Sequence, residues 1–183
     1  RVAFLRGIAF LEGVENGVLL LDEPFNGLDA EAAGKLCGML RSLAPQTLVL
    51  RDYHVDNLLM LKDRAGVKAC GLLDFQDALH GAATYDVMSL MEDARRDIDF
   101  DLLTAMRDRY IAGMGDRLPD RDAFLASWAV WAAQRHVKVL GIFVRLCVRD
   151  GKNRYLRHLP RLWCLLDRAL EHPALGMMKV WFD

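Results

Sequence analysis

At 183 residues the chain suits one ordinary domain or a large piece of a bigger one. It is 53% apolar, enough for a real core, and its formal net charge of −1 comes from acids and bases mixed along its length. Without a long basic block it carries no field for nucleic acid or a membrane surface.

Cys37, Cys70, Cys147 and Cys164 lie far apart with no C-x-x-C pair, which argues against a zinc site and against a disulfide framework. A reducing compartment follows. There is no signal-peptide pattern, and the longest apolar runs, such as residues 139–144, are too short to span a bilayer. The cytoplasm is the expected setting. The chain opens on Arg1 rather than Met, which fits either a fragment of a longer protein or a trimmed chain.

Residues 1–17 predict a mostly apolar helix ending near Gly13 or Gly17. A short apolar run, 18–21, is closed by Asp22-Glu23-Pro24 and a turn at Asn26-Gly27. Asp29 is placed to cap a helix over 30–43. The middle of the chain turns β-prone at 47–50, 58–61 and 67–73, with a polar turn at 62–66, which predicts a hairpin with functional loops at its outer ends. Helical periodicity then takes over, at 85–98, at 100–114 and in a long helix opened by Pro119-Asp120 with Asp120 as N-cap and Gly151 as its end. A last helix from Asn153 or Arg154, broken or kinked at Pro160, finishes before Pro173. Phe124, Trp128, Trp131, Leu140, Phe143, Leu159, Trp163, Leu166 and Leu170 are the candidate core of these helices. The expected fold class is α+β, mainly helical.

The chemistry concentrates in Leu50-Arg51-Asp52-Tyr53-His54-Val55-Asp56-Asn57. This octapeptide fits the kinase catalytic-loop pattern H-R-D-L-x-x-x-N at Arg51, Asp52 and Asn57, with Leu50 in the His position and Tyr53 in the Leu position. Phosphoryl transfer needs a carboxylate to align the attacking hydroxyl and take its proton, and oxygen ligands to hold Mg²⁺ over the phosphates. That spacing lets Asp52 face the acceptor while the Asn57 amide oxygen turns toward the metal. Farther on, Gly71-Leu72-Leu73-Asp74-Phe75-Gln76 sets an Asp just past an apolar strand, the context of the kinase D-F-G aspartate, with Gln76 in the Gly position. Asp74 is then the main Mg²⁺ ligand, and the hairpin would hold it near Asn57.

These segments resemble the aminoglycoside phosphotransferase superfamily, whose loop usually reads H-G-D-x-H-x-x-N, with His54 matching the second His. The closer resemblance is to the anomeric N-acetylmuramate/N-acetylglucosamine kinases of bacterial cell-wall recycling. Tyr85-Asp86 through Asp97, Gln134 through Phe143, Arg154 through Pro160 and the ending from His172 carry it, so it covers residues 45–183. It implies the C-terminal lobe of a protein-kinase-like fold that moves the γ-phosphate of ATP to the C1 hydroxyl of an amino sugar. It further implies Asp52 as base, Asn57 and Asp74 on Mg²⁺, Asp77 and Arg96 toward the substrate, and Arg51, His54 and Asp86 in support of the loop. Under that resemblance Arg95 and Arg96 are open either to an anionic lactyl group on the sugar or to a solvated or structural ion pair.

Residues 1–44 fit less well. A kinase of this kind needs a phosphate-covering loop and a strand Lys, yet the only Lys before the catalytic loop is Lys35, on a predicted helix. A missing N-terminal lobe is therefore expected. Val18 to Asp29 also resembles the Walker B strand and D-loop of ABC-transporter ATPases, although the chain has no G-x-x-x-x-G-K-[ST] loop and no L-S-G-G-Q signature. Two origins for 1–44 stay open, hinge-side helices or an ABC-like fragment. Rival functions are a non-catalytic kinase-like lobe and an ABC-type ATP-binding fragment.

Overall fold

A computed structural model describes residues 45–118 and 120–182, and the expectations for residues 1–44 lie outside the described residues. Two short antiparallel ribbons lead into a helical body. In the first ribbon, β1 (Gln46–Val49) pairs with β4 (Leu79–Ala82), with Val49 opposite Leu79 and Gln46 opposite Ala82. The second ribbon lies between them in sequence: β2 (Leu58–Met60) pairs with β3 (Cys70–Leu72), with Leu58 opposite Leu72.

Strand β4 is absent from the sequence expectation because Leu79-His80-Gly81-Ala82 has no β-branched residue and includes a glycine. That glycine has a packing reason. A Cβ on Gly81 would lie 3.1 Å from Val49 Cγ2, so its absence lets the two strands close. The third β-prone run is shorter than expected. Gly66–Ala69 winds into a 3₁₀ turn before β3 begins.

The helices are α1 (Thr84–Met91), α2 (Phe100–Met114), α3 (Arg121–Asp150), α4 (Leu159–Leu170) and α5 (Gly176–Phe182). Helix α1 stops seven residues short of the expected Ile98. Asp93 Oδ1 accepts the Arg95 main-chain N–H at 2.8 Å, and this local turn competes with helical pairing. The Asp120 side chain caps α3 through Asp122 N, and Gly151, at φ 64°, takes the left-handed conformation that ends it. Pro160 does not break the last helix; it sits in the first turn of α4, where its missing N–H has no intrahelical partner to lose. Helix α5 was not expected. No described helix is long and apolar enough to cross a membrane.

The core lies where α1, α3 and α4 meet, around Met88, Phe124, Trp128, Leu140, Phe143, Leu162 and Leu166. Phe124, Leu162 and Leu166 are 0% exposed, so each side chain stabilises the body by about 2–5 kcal/mol when measured by truncation to Ala. Trp163 departs from the expected core. It is 47% exposed, on the outer face of α4, where its ring meets Phe182 edge-on at 6.4 Å.

Candidate active site

The loop between β1 and β2 is built around a strained turn. Asp52 N donates to Leu50 O at 2.9 Å across Arg51, whose φ is 71°. An i→i+2 bond across a positive φ is the rare, costly form of the γ-turn. Helix α1 holds it in place. The Asp86 carboxylate accepts the main-chain N–H of Leu50 at 2.6 Å and of Arg51 at 3.1 Å. Ser89, one turn further along α1, donates its hydroxyl to Tyr53 O at 3.2 Å. Sequence reading gave Ser89 no role, because a small polar residue on an apolar helix has no signal of its own.

Burial pushes the Asp86 carboxyl above the ordinary carboxylate range, against the opposing pull of the two amides and of Arg135. The Asp86 side chain is thus committed to the loop main chain. The Arg51 and Asp52 side chains are exposed.

Asn57 joins the two halves of the site. Its N–H closes a 3₁₀ turn onto His54 O at 2.9 Å, and its Nδ2 donates to Asp52 O at 2.9 Å. With Nδ2 engaged, the amide oxygen is the atom left to face a cation. Its main-chain carbonyl accepts Leu73 N–H at 2.9 Å, extending the β2–β3 ladder by one step. Asp74 follows directly, at φ 55°, a left-handed conformation that Asp tolerates better than most residues. Gln76 Nε2 hydrogen-bonds Asp74 Oδ1, which leaves Oδ2 as the second hard oxygen. An amide oxygen and a carboxylate on adjoining strand ends suit Mg²⁺, which takes few protein ligands and completes its shell with water and phosphate. Asp77 lies exposed just beyond.

On the other side of the loop, Asp56 receives two arginines from the turn after α1. Arg96 Nη2 hydrogen-bonds Oδ1 at 3.1 Å, and Arg95 Nη1 lies 3.6 Å from Oδ2. The Arg96 hydrogen bond, then the charges of Arg95, Arg96 and His54, hold the Asp56 carboxyl below its ordinary value. The His54 ring is mostly buried, and its Nδ1, 3.9 Å from Asp56 Oδ2, has no hydrogen-bond partner among the described residues. The hydrogen bonds that brace the loop come from Asp86, Ser89 and Asn57 rather than from His54 Nδ1. His80, His136, His158 and His172 join no metal-binding group, and the described residues hold no cluster of His, Cys, Asp and Glu of that kind.

The model of the phosphotransferase enzyme family matches residues 9–140, and the chain belongs to that family. Its curated relatives narrow the likeness. The chain is 44% identical over 133 residues to the N-acetylmuramate/N-acetylglucosamine kinase of Caulobacter vibrioides, covering 73% of this chain and 36% of that protein. The kinases of the same name from Pseudomonas aeruginosa and Neisseria meningitidis are each 40% identical, over 150 and 134 residues. Those matches cover 78% and 71% of this chain and 43% and 39% of the relatives. The chain therefore spans well under half the length of the curated relatives it matches.

Proposed function

We propose that this chain carries the acceptor and metal side of an ATP-dependent amino sugar kinase of the cytoplasm, acting on the C1 hydroxyl of N-acetylmuramate or N-acetylglucosamine. The observation that carries this reading is the single hydrogen-bonded unit made by Asp52, Asn57 and the Asp74 strand end, Asn57 Nδ2 to Asp52 O and Leu73 N to Asn57 O. The names of the relatives support the sugar class.

In this mechanism the exposed Asp52 carboxylate accepts the proton of the attacking sugar hydroxyl as that oxygen bonds to the γ-phosphorus of ATP and ADP leaves. Asn57 Oδ1 and Asp74 would hold Mg²⁺, which when bound offsets charge on the phosphates. Asp77 and Arg96 stand on the acceptor side. Arg51 supplies the turn that presents Asp52, and Asp86 keeps that turn in place.

The ATP-covering side, with its strand Lys, belongs in this reading to a further lobe of the whole protein. Exposed apolar side chains on both ribbons and on the 3₁₀ turn before β3 support a body that docks there: Leu48, Met60 and Val67 are 64%, 80% and 92% exposed among the described residues. The same surface favours one rival, a kinase-like lobe that only binds its partner. Tight Mg·ATP binding by this chain alone would count against that rival. The family match from residue 9 runs through Asp22 to Asp29, which supports hinge-side helices of the phosphotransferase over an ABC-like fragment.

The test is transfer of labelled phosphate from Mg·ATP to either sugar, by the chain joined to the proposed nucleotide-covering lobe. Asp52→Asn is expected to slow transfer about 10²–10⁴-fold. An unchanged rate would remove Asp52 from the chemistry.

A further inference from the structure

Helices α2, α3 and α4 do not close fully on one another. Between them and the turn at 171–173 they leave a cavity of about 380 Å³. Small-molecule sites run about 300–1,000 Å³, so the space is large enough for a ligand. Its wall is mostly apolar, with Phe100, Leu103, Leu125, Trp128 and Ala129 among the lining side chains. No lining residue belongs to the loop 50–57, to the Asp74 strand end or to the turn at 93–97. On α1, Asp86 and Ser89 are bonded to that loop, whereas Glu92, which does line the cavity, is bonded to Trp128 and His136 of α3. The cavity and the proposed active site therefore share helix α1 and no side chain.

Two arginines reach the cavity from different helices. Arg107 stands on α2, its guanidinium carbon 5.9 Å from the centre of the Trp128 ring. Arg168 stands on α4, with the same atom 5.9 Å from the centre of the Phe100 ring. A guanidinium laid over a ring still presents its N–H groups along its edge, in its own plane.

The charges on the wall are unequally matched. Glu92 accepts from Trp128 Nε1 and His136 Nε2 and lies 3.5 Å from Arg168 Nη2. Glu171 pairs with Lys179, and His172 Nδ1 accepts the Ala174 N–H. Asp108, next to Arg107 in the chain, is held by Arg121. Arg107 has no acceptor. Its Nε is buried without a hydrogen-bond partner, and the guanidinium forms no ion pair among the described residues. A buried N–H left unpaired is costly, and native structures usually supply the acceptor from water or a ligand.

We propose that this cavity is a second binding site, for a small carboxylic acid with an apolar or aromatic body. The carboxylate takes the Nε and Nη edge of Arg107 in two parallel N–H···O bonds, and Arg168, shared with Glu92, adds positive charge from α4. The body of the ligand lies on Phe100, Leu103, Leu125 and Ala129. A neutral molecule of the same shape fills the space but leaves the Arg107 donors unpaired. A short acid pairs those donors but leaves the apolar wall wet. Each half of the site thus selects against ligands that lack the matching half. The site does not depend on the kinase reading and stands whether or not Asp52 takes part in phosphate transfer.

The probes are phenylacetate, its neutral amide phenylacetamide, and acetate, titrated calorimetrically into the 183-residue chain at neutral pH and low salt. Phenylacetate is expected to bind at about millimolar or tighter, and about tenfold or more tighter than either of the others. The indole N–H resonance of Trp128 is expected to move as it binds, because that ring underlies Arg107 and its Nε1 is bonded to Glu92 beside Arg168. Arg107→Gln is expected to bind phenylacetate no better than phenylacetamide, and Arg107→Lys to recover part of the preference. Leu125→Trp, at a half-buried position on the wall, is expected to abolish binding by filling the space. The melting temperature of each free variant shows that it is folded. The proposal is overturned if the wild-type chain binds phenylacetate no tighter than its amide or acetate, which needs no variant to decide. It is equally overturned if binding leaves the Trp128 resonance unmoved, or if Arg107→Gln keeps the acid preference.

Discussion

Asp86 shows how one side chain can set the geometry of a loop it does not belong to. It accepts the N–H groups of Leu50 and Arg51, the first and central residues of the γ-turn that leads into the exposed Asp52. A charged acceptor is worth more here than a neutral one, since hydrogen bonds to ionised groups contribute about 1.5–3 kcal/mol each. Asp86→Asn keeps the shape, halves the acceptor capacity and places an NH₂ against a main-chain N–H. We expect it to lower phosphate transfer by about tenfold or more through misplacement of Asp52, while acceptor binding by calorimetry changes little. Equal losses in both would make Asp86 a substrate-contacting residue instead.

At this scale the sequence was informative where spacing follows chemistry. The R-D-x-x-x-x-N spacing and the Asp after an apolar strand single out Asp52, Asn57 and Asp74 for the proposed chemistry, because phosphoryl transfer needs such groups at such intervals. Ser89 and Asp93 left no comparable trace. Their importance comes from what the fold places beside them, the Tyr53 carbonyl in one case and the Arg95 main chain in the other.

Between elements, Glu92 fastens the end of α1 to two other helices. It is 5% exposed, and its carboxylate meets Trp128 Nε1 and His136 Nε2, each at 2.8 Å, from α3, and Arg168 Nη2 at 3.5 Å from α4. Burial pushes the Glu92 carboxyl up, but the His136 hydrogen bond and charge, the indole N–H and Arg168 outweigh it, and the group ends below its ordinary value of 4.5. A carboxyl whose folded-state value is depressed adds stability that is fully present above its unfolded value and is lost as pH falls through the folded one. The helical body should therefore melt at a nearly constant temperature above about pH 4.5 as far as this group is concerned, and lose stability below it. Glu92→Gln should cost about 3 kcal/mol or more in urea unfolding at pH 7, since it removes the charge from a buried set of partners, and it should remove that part of the acid loss. Parallel pH profiles for wild type and variant would show that Glu92 is not the group that titrates.

Helix boundaries were legible where a cap marks them, as at Asp120 and Gly151, and illegible at the end of α1. There the pattern of apolar residues runs on past Met91 while the Asp93 turn stops the helix. The Glu92 network could not be read at all, because its partners are 36 and 44 residues away and no local pattern records a pairing across that span.

For the molecule as a whole, the two ribbons differ in what they carry. The β2–β3 ribbon bears Asn57 and Asp74 at its base. The β1–β4 ribbon joins that assembly to the helices, with Val49 buried and Ala82 and Ala83 leading straight into α1. Exposed Phe75 and Leu79 continue the apolar surface that, in the proposed whole enzyme, meets the nucleotide-covering lobe.

The pairing of Val49 with Leu79 has a topological consequence. The chain from Leu50 to Ala78 is closed at its base by this pairing; its first residues stay bonded to α1 and the turn after it, and the β2–β3 ribbon extends beyond them. The far tip of that ribbon, residues 62–66, is a polar turn well away from the pairing. The entropy of closing a loop grows only with the logarithm of its length, about 0.6 kcal/mol for each doubling. Lengthening the tip by about five Gly and Ser residues should then leave the melting temperature and sugar binding nearly unchanged. Gly81→Val, which forces a side chain into the pairing against Val49, should disturb both. If the tip insertion proved as damaging as the Gly81 substitution, the tip would not be independent of the base. If it is tolerated, relatives in this family have a place to vary in length without moving Asp52, Asn57 and Asp74.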